Sequence, residues 1–195
     1  MGYAGGTTSS PTYRSIGDHT ETLQVFYDPS VVSYKELLEI FWDSHNPASR
    51  PYSRQYMSII LYNSEDQRRE AVASMKKREK QMGTKISTLI EEAGTFTPAE
   101  DYHQKYYLKN STLLKDLKTY YSEERGITDS TAAARINGYL AGYGTFEDLE
   151  KEINSFGLSR EGKELLLRRL GPREPGKVSS LFTSILQACG IDPKS

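Results

Sequence analysis

The sequence predicts a mixed domain of helices layered on a sheet, followed by an all-helical stretch. Two observations carry that prediction. Up to about Asn110 the local signals alternate strand, helix, strand, helix, strand, helix, the order that layers helices on a sheet. Beyond Asn110 the strand signals stop and runs of helical periodicity follow.

Residues 23–27 (LQVFY) are rich in β-formers, and Asp28 and Pro29 close the run because proline cannot donate to a ladder. A strand is expected there. Ser33 and Glu36 have the spacing of a capping box. The helix they open puts Leu37, Leu38, Phe41 and Trp42 on one apolar face, and His45, Asn46 and Pro47 end it. After a loop over residues 47–54, residues 56–62 (YMSIILY) read as a second strand. Ser64 with Gln67 caps a long helix running to about Gln81, and Gly83 stops it. Arg68, Arg69, Lys76, Lys77 and Arg78 are expected on its solvated face. A third strand is expected over residues 85–90. Thr97 and Glu100 look like another capping box with Pro98 at the favoured first position, predicting a helix through residues 101–104 (DYHQ).

Further helices are expected near residues 111–121, 131–140, 146–156 and 160–170, the third capped by Thr145 with Asp148. Residues 171–176 (GPREPG) read as a linker and residues 178–188 as a terminal helix. The expected division is a domain over residues 1–110, a helical extension over 111–170, and a linker with terminal helix over 171–195.

Composition narrows the function. In 195 residues, 25 basic side chains face 26 acidic ones, a net charge of −1, which argues against a broad basic footprint for nucleic acid or an anionic membrane. The apolar fraction is 36%, partly offset by fourteen Tyr and six Phe, each of which buries a large area. No stretch approaches the ~20 apolar residues of a membrane span, and the first residues have neither the basic nor the apolar region of a signal peptide. Cys189 is the one cysteine, so no intrachain disulfide forms and a reducing, cytoplasmic setting is expected.

The residues alone name little chemistry. The glycines at 2–6 (GYAGG) lack the Lys-Ser/Thr of a phosphate loop, and His19, His45 and His103 lack metal-ligand spacing. Cys189 has no basic neighbour in sequence that would favour a thiolate. Glu21, at the start of the first expected strand, has the chemistry of a general acid, but a lone carboxylate at a strand entry is more often simply solvated.

Several segments taken in order carry more. They are GYAGG at 2–6, PTY at 11–13, HTE at 19–21, VFYDP at 25–29, SYKELL at 33–38, IFWDSHNP at 40–47, Gln55-Tyr56 with Ser58, and PAEDYHQ at 98–104. Together, over residues 2–110, they resemble the A-type peptide methionine sulfoxide reductases. The resemblance implies an α+β, ferredoxin-like sheet with helices. It also implies thiol-dependent reduction of the S-epimer of methionine sulfoxide, free or in a protein, to methionine. In such an enzyme a cysteine thiolate attacks the sulfoxide sulfur, a carboxylic acid protonates the oxygen and phenols hydrogen-bond it. The cysteine becomes a sulfenic acid, a second thiol converts it to a disulfide, and thioredoxin restores the dithiol. By position Glu21 matches the proton donor, and Tyr13 and Tyr56 the sulfoxide-binding phenols. No cofactor or metal is implied, and a cytoplasmic monomer is expected.

The sequence also departs from that pattern. The Gly-Cys-Phe-Trp-Gly segment that carries the nucleophile is not among these residues, so the expected sheet lacks its first strand–helix unit of roughly 30 residues. The loop from Tyr13 to His19 is short, and Pro51 and Met57 stand where the family usually has Asp and Arg. Cys189 alone resolves nothing. These residues are therefore expected to be inactive as given. The alternative is a non-catalytic binding or regulatory isoform acting through the sulfoxide pocket or the helical tail.

Overall fold

The structure, a computed structural model, describes residues 1–171, and the chain divides into two compact units, Met1–Glu100 and the residues from Asp101 onward. Both α and β structure are present, as expected.

In the first unit, β1 (Gly2–Ala4) is the central strand of an antiparallel sheet, between β2 (Thr20–Thr22) and β5 (Thr97–Pro98). Tyr3 pairs with Glu21 on one side and Thr97 on the other. Gly2 is required here: a Cβ would lie 2.3 Å from the Phe96 ring and 2.4 Å from the Thr97 carbonyl oxygen. This strand was hidden in the glycine-rich opening because three residues show no periodicity. A second sheet pairs β3 (Ile59–Tyr62) with β4 (Leu89–Glu92) in parallel, in register from Ile59 opposite Leu89. A parallel pair needs a crossover, and α2 (Glu65–Met82) supplies it.

The first helix, α1 (Tyr34–Asp43), has both halves of the expected capping box, the Glu36 amide donating to Ser33 Oγ and the Ser33 amide to Glu36. Its buried Leu38 and Trp42 pack with Ile60 and Ala71, and the Trp42 indole donates to Ser74 Oγ at 3.0 Å. On α2, Ser64 accepts from the Gln67 amide and Gly83 closes the helix in the left-handed conformation at φ 66°. The basic face is not uniformly solvated. Lys77 reaches Glu39 at 2.6 Å and Arg78 reaches Asp43 at 2.5 Å, so these two cations clamp α2 onto α1.

Four expectations need correction. Residues 23–27 form no strand. Leu23, Val25 and Phe26 are exposed (53, 50 and 89%), and among the described residues no strand pairs with them. β-Propensity is realised only against a neighbouring strand and a buried face. The strand expected over 56–62 starts later, at Ile59, because Arg54–Met57 make a turn closed by the Met57 amide on the Arg54 carbonyl. The strand expected over 85–90 shifts to Leu89–Glu92, set by its register on β3. Finally, Thr97 and Pro98 join the sheet instead of opening a helix. Pro98 tolerates this because β5 is an edge strand, and only a 3-10 turn, Asp101–His103, follows.

The second unit is all helical: α3 (Tyr106–Lys109), α4 (Leu114–Leu117), α5 (Glu124–Asp129), α6 (Thr131–Leu140), α7 (Phe146–Glu152) and α8 (Arg160–Leu170). The spans of α6 and α8 agree with the expectation, α7 ends in the 3-10 turn Ile153–Ser155, and α5 was not foreseen. Only α4 forms within the helix expected over 111–121. Ser130, Thr145 and Ser159 each accept from an amide of the following first turn. Leu108, Leu117, Ile136, Leu149 and Leu166 are fully buried at the centre of the unit. The helix expected over 178–188, and Cys189, lie outside the described residues.

Candidate active site

The site is assembled by strand register and one stapled turn. Residues directly opposite in antiparallel strands share a face, so the Tyr3 and Glu21 side chains lie on the same face of the first sheet. Glu21 sits within β2, not at its start. Its amide donates to the Gln55 carbonyl at 3.0 Å, and its Oε1 accepts from Gln55 Nε2 at 2.7 Å. These two bonds fasten the turn carrying Gln55 and Tyr56 to β2.

Arg54 anchors the same turn. Its guanidinium donates to the Gly5 carbonyl at 2.6 Å and the Asp18 carbonyl at 3.2 Å, and pairs with Glu91 at 3.0 Å. Its own carbonyl accepts from the Thr20 hydroxyl at 2.9 Å. Glu91 belongs to β4, so one side chain links both sheets beside the site.

Tyr13 comes from an irregular loop. Asp18 orders that loop by accepting from the Thr7 and Thr8 amides (2.8 and 2.9 Å) and from both hydroxyls (2.9 and 2.7 Å). These bonds hold the Asp18 carboxyl well below the usual carboxylate range. The buried His19 ring places Nε2 2.8 Å from the Thr8 carbonyl oxygen. The Tyr13 amide donates to Glu100 Oε1 at 3.0 Å, while the Tyr3 hydroxyl donates to Glu100 Oε2 at 2.6 Å.

Tyr13, Glu21 and Tyr56 thus come together from three segments. Burial pushes the Glu21 carboxyl up, against the hydrogen bond from Gln55. The Tyr56 phenol is pushed up to about 12 by burial, by the neighbouring charges of Glu21 and Tyr13, and by its hydrogen bond with Tyr13. A carboxyl whose proton is held more tightly by burial, beside the Tyr56 and Tyr13 hydroxyls, forms a cluster of potential donors. Such a cluster favours a ligand oxygen that gains negative charge or a proton.

Gln55, Glu100 and Tyr3 were not singled out as site residues. Gln55 had a signal in its place beside Tyr56. Glu100 was drawn off by the capping-box pattern. His45 lies apart in a polar network, with Nδ1 2.9 Å from the Phe41 carbonyl oxygen, Nε2 2.7 Å from Ser58 Oγ, and Ser58 Oγ 2.8 Å from Thr88 Oγ1. Among the described residues no three His, Cys, Asp or Glu side chains gather to hold a metal ion, and no helix is long and apolar enough to cross a membrane.

Comparison with known proteins gives these residues a context. The family model of the peptide methionine sulfoxide reductases matches residues 1–134, so the likeness extends beyond the limit of about Asn110 expected from the motifs. A peptide methionine sulfoxide reductase of Drosophila melanogaster is 43% identical over 162 residues, covering 82% of this chain and 65% of that protein. Peptide methionine sulfoxide reductase A5 of Oryza sativa is 42% identical over 147 residues, covering 72% of this chain and 58% of the rice protein. The chain therefore spans less than two thirds of the length of either relative. The crystal structure of Mxr1 from Saccharomyces cerevisiae in reduced form aligns with a TM-score of 0.53 at 31% identity, over 56% of this chain and 68% of that one. With its model matched over most of the sequence, the chain belongs to the peptide methionine sulfoxide reductase family.

Proposed function

We propose that the site takes the S-epimer of methionine sulfoxide, in a peptide or free, and serves its thiol-dependent reduction to methionine. The observation that carries this reading is the convergence of the half-buried Glu21 carboxyl, whose pKa burial pushes up, with the Tyr13 and Tyr56 phenols. The phenols hydrogen-bond the sulfoxide oxygen and polarise the S–O bond. A thiolate attacks the sulfur, Glu21 gives the oxygen its proton, and the oxygen leaves with the attacking sulfur as a sulfenic acid while methionine departs. A second thiol displaces water to form a disulfide, and thioredoxin reduces that disulfide. A cytoplasmic monomer suits this cycle.

The one cysteine of these 195 residues is Cys189. We therefore assign the 195-residue chain binding without turnover, the nucleophile being a thiol other than Cys189. A binding or regulatory role for the chain has the same support, a cluster of hydrogen-bonding groups with no thiol beside it among the described residues.

Calorimetric titration with N-acetyl methionine S-sulfoxide methylamide tests the reading. Binding of the S-epimer in preference to the R-epimer is expected, and no heat beyond dilution would refute it. Turnover of the sulfoxide by the 195-residue chain with dithiothreitol would contradict the assignment of binding alone. In a form supplied with the nucleophile, Glu21→Gln lowers turnover more than affinity, because it removes the proton and keeps a polar group. Equal turnover would remove Glu21 from the mechanism.

A further inference from the structure

Among the described residues, the loop that carries Tyr13 has no ladder partner of its own. Thr12 and Ser15 form only an isolated bridge, and Asp18 gathers Thr7 and Thr8. The Tyr13 amide instead donates to Glu100, at the far end of the unit's sequence. Glu100 also holds the hydroxyl of Tyr3, which is 2% exposed and lies in the central strand directly opposite Glu21. One carboxylate therefore spans the rigid sheet and the irregular loop. We infer that Glu100 is a positioning residue that sets where the Tyr13 phenol meets Glu21 and Tyr56, its two oxygens holding the Tyr13 amide and the Tyr3 hydroxyl.

Both bonds go to carboxyl oxygens, acceptors whose hydrogen bonds are of the stronger, charge-assisted kind when the group is ionised. They matter for the site because a displacement of about 1 Å in a group that must meet a reacting atom costs about a hundredfold in rate. Glutamine can keep the tether, with its carbonyl accepting from Tyr13 and its amide donating to the Tyr3 oxygen. Alanine removes it entirely. The inference rests on the proposed reading of the site, so its test needs one readout that does not involve sulfoxide.

The 195-residue chain is compared with Glu100→Ala, Glu100→Gln and Tyr3→Phe. Amide exchange at Tyr13 and the NMR titration of the Tyr56 phenol report the tether, and calorimetry with N-acetyl methionine S-sulfoxide methylamide reports the site. Glu100→Ala speeds Tyr13 exchange about tenfold, weakens sulfoxide binding about tenfold, and returns the Tyr56 titration toward the ordinary value of 10.0. Glu100→Gln stays within about threefold of the wild type, since it keeps both bonds. Unchanged Tyr13 exchange and Tyr56 titration in Glu100→Ala would overturn the inference, as would a Gln variant that behaves like Ala. If Glu100→Ala does not fold, Tyr3→Phe decides: it deletes one hydroxyl, and unchanged Tyr13 exchange overturns the tether. A wild type that binds no sulfoxide would sink the proposed function, with exchange and titration still judging Glu100.

Discussion

Among the described residues, the second unit gathers fourteen buried residues, from Leu108 to Leu170, into one apolar cluster, while the first unit gathers four, Leu38, Trp42, Ile60 and Ala71. The first unit makes up the difference with polar staples: Arg54 across its two sheets, Asp18 in its loop, His45 with Ser58 and Thr88, and Glu100 between Tyr3 and Tyr13. Apolar burial is non-directional, so it holds helices together without fixing a particular side chain to a fraction of an ångström. Hydrogen bonds have distances and angles, and the candidate site lies where they are dense. The unit with the smaller apolar core is the one able to hold three donors in register.

This contrast sets the order of expected effects. Leu166→Ala, at the centre of the helical cluster and fully buried, destabilises the second unit by roughly 3 kcal/mol. Urea unfolding followed through the exchange of α6 and α8 amides measures it, and a loss below about 1 kcal/mol would mean that the cluster is loosely packed. Ser58→Ala attacks a staple instead. It leaves His45 Nε2 without that partner inside the first unit and costs about 1–2 kcal/mol, read from the urea midpoint of α1 and α2 amides.

A smaller effect comes from pH. Burial pushes the His45 imidazole down from 6.5, with the nearby Arg78 adding to the fall. The unfolded chain therefore takes up the proton first as pH falls below 6.5. Stability is full above that value and is lost as pH drops toward the lowered folded value. Melting of the first unit at pH 7.5 and 5.5 should show the loss, and His45→Gln should flatten it. Glu21 has the opposite sign. Burial raises its carboxyl above the ordinary 4.5, so its contribution is present below 4.5 and fades as pH rises through the folded value. The smallest effect expected is that of Gln55→Leu, which removes the bond that opposes this rise and moves the Glu21 carboxyl titration, followed by carbon NMR, further upward. A downward shift would mean that Gln55 does not hold the charged form.

Much of this was legible where the signal is local. The caps at Ser33, Ser64 and Thr145 sit three residues before their amide donors, and the spans of α6 and α8 follow from helical periodicity. Tyr13, Glu21 and Tyr56 stood out only through motif resemblance, and no local pattern links them. Long-range pairing was not legible. Residues 97–100 have the spacing of a capping box, yet a partner in β1 drew Thr97 and Pro98 into the sheet and turned Glu100 toward Tyr3. Residues 23–27 have the composition of a strand but no described neighbour to pair with. Gln55 and Glu100 act through contacts 34 and 87 residues away in sequence, a separation that no window of sequence spans.

The most direct test of the account is an NMR titration of the 195-residue chain with N-acetyl methionine S-sulfoxide methylamide. The account predicts saturable shifts centred on Tyr13, Glu21, Gln55 and Tyr56, with α6 and α8 unmoved. Shifts centred on the helical unit, or none at millimolar sulfoxide, would contradict it.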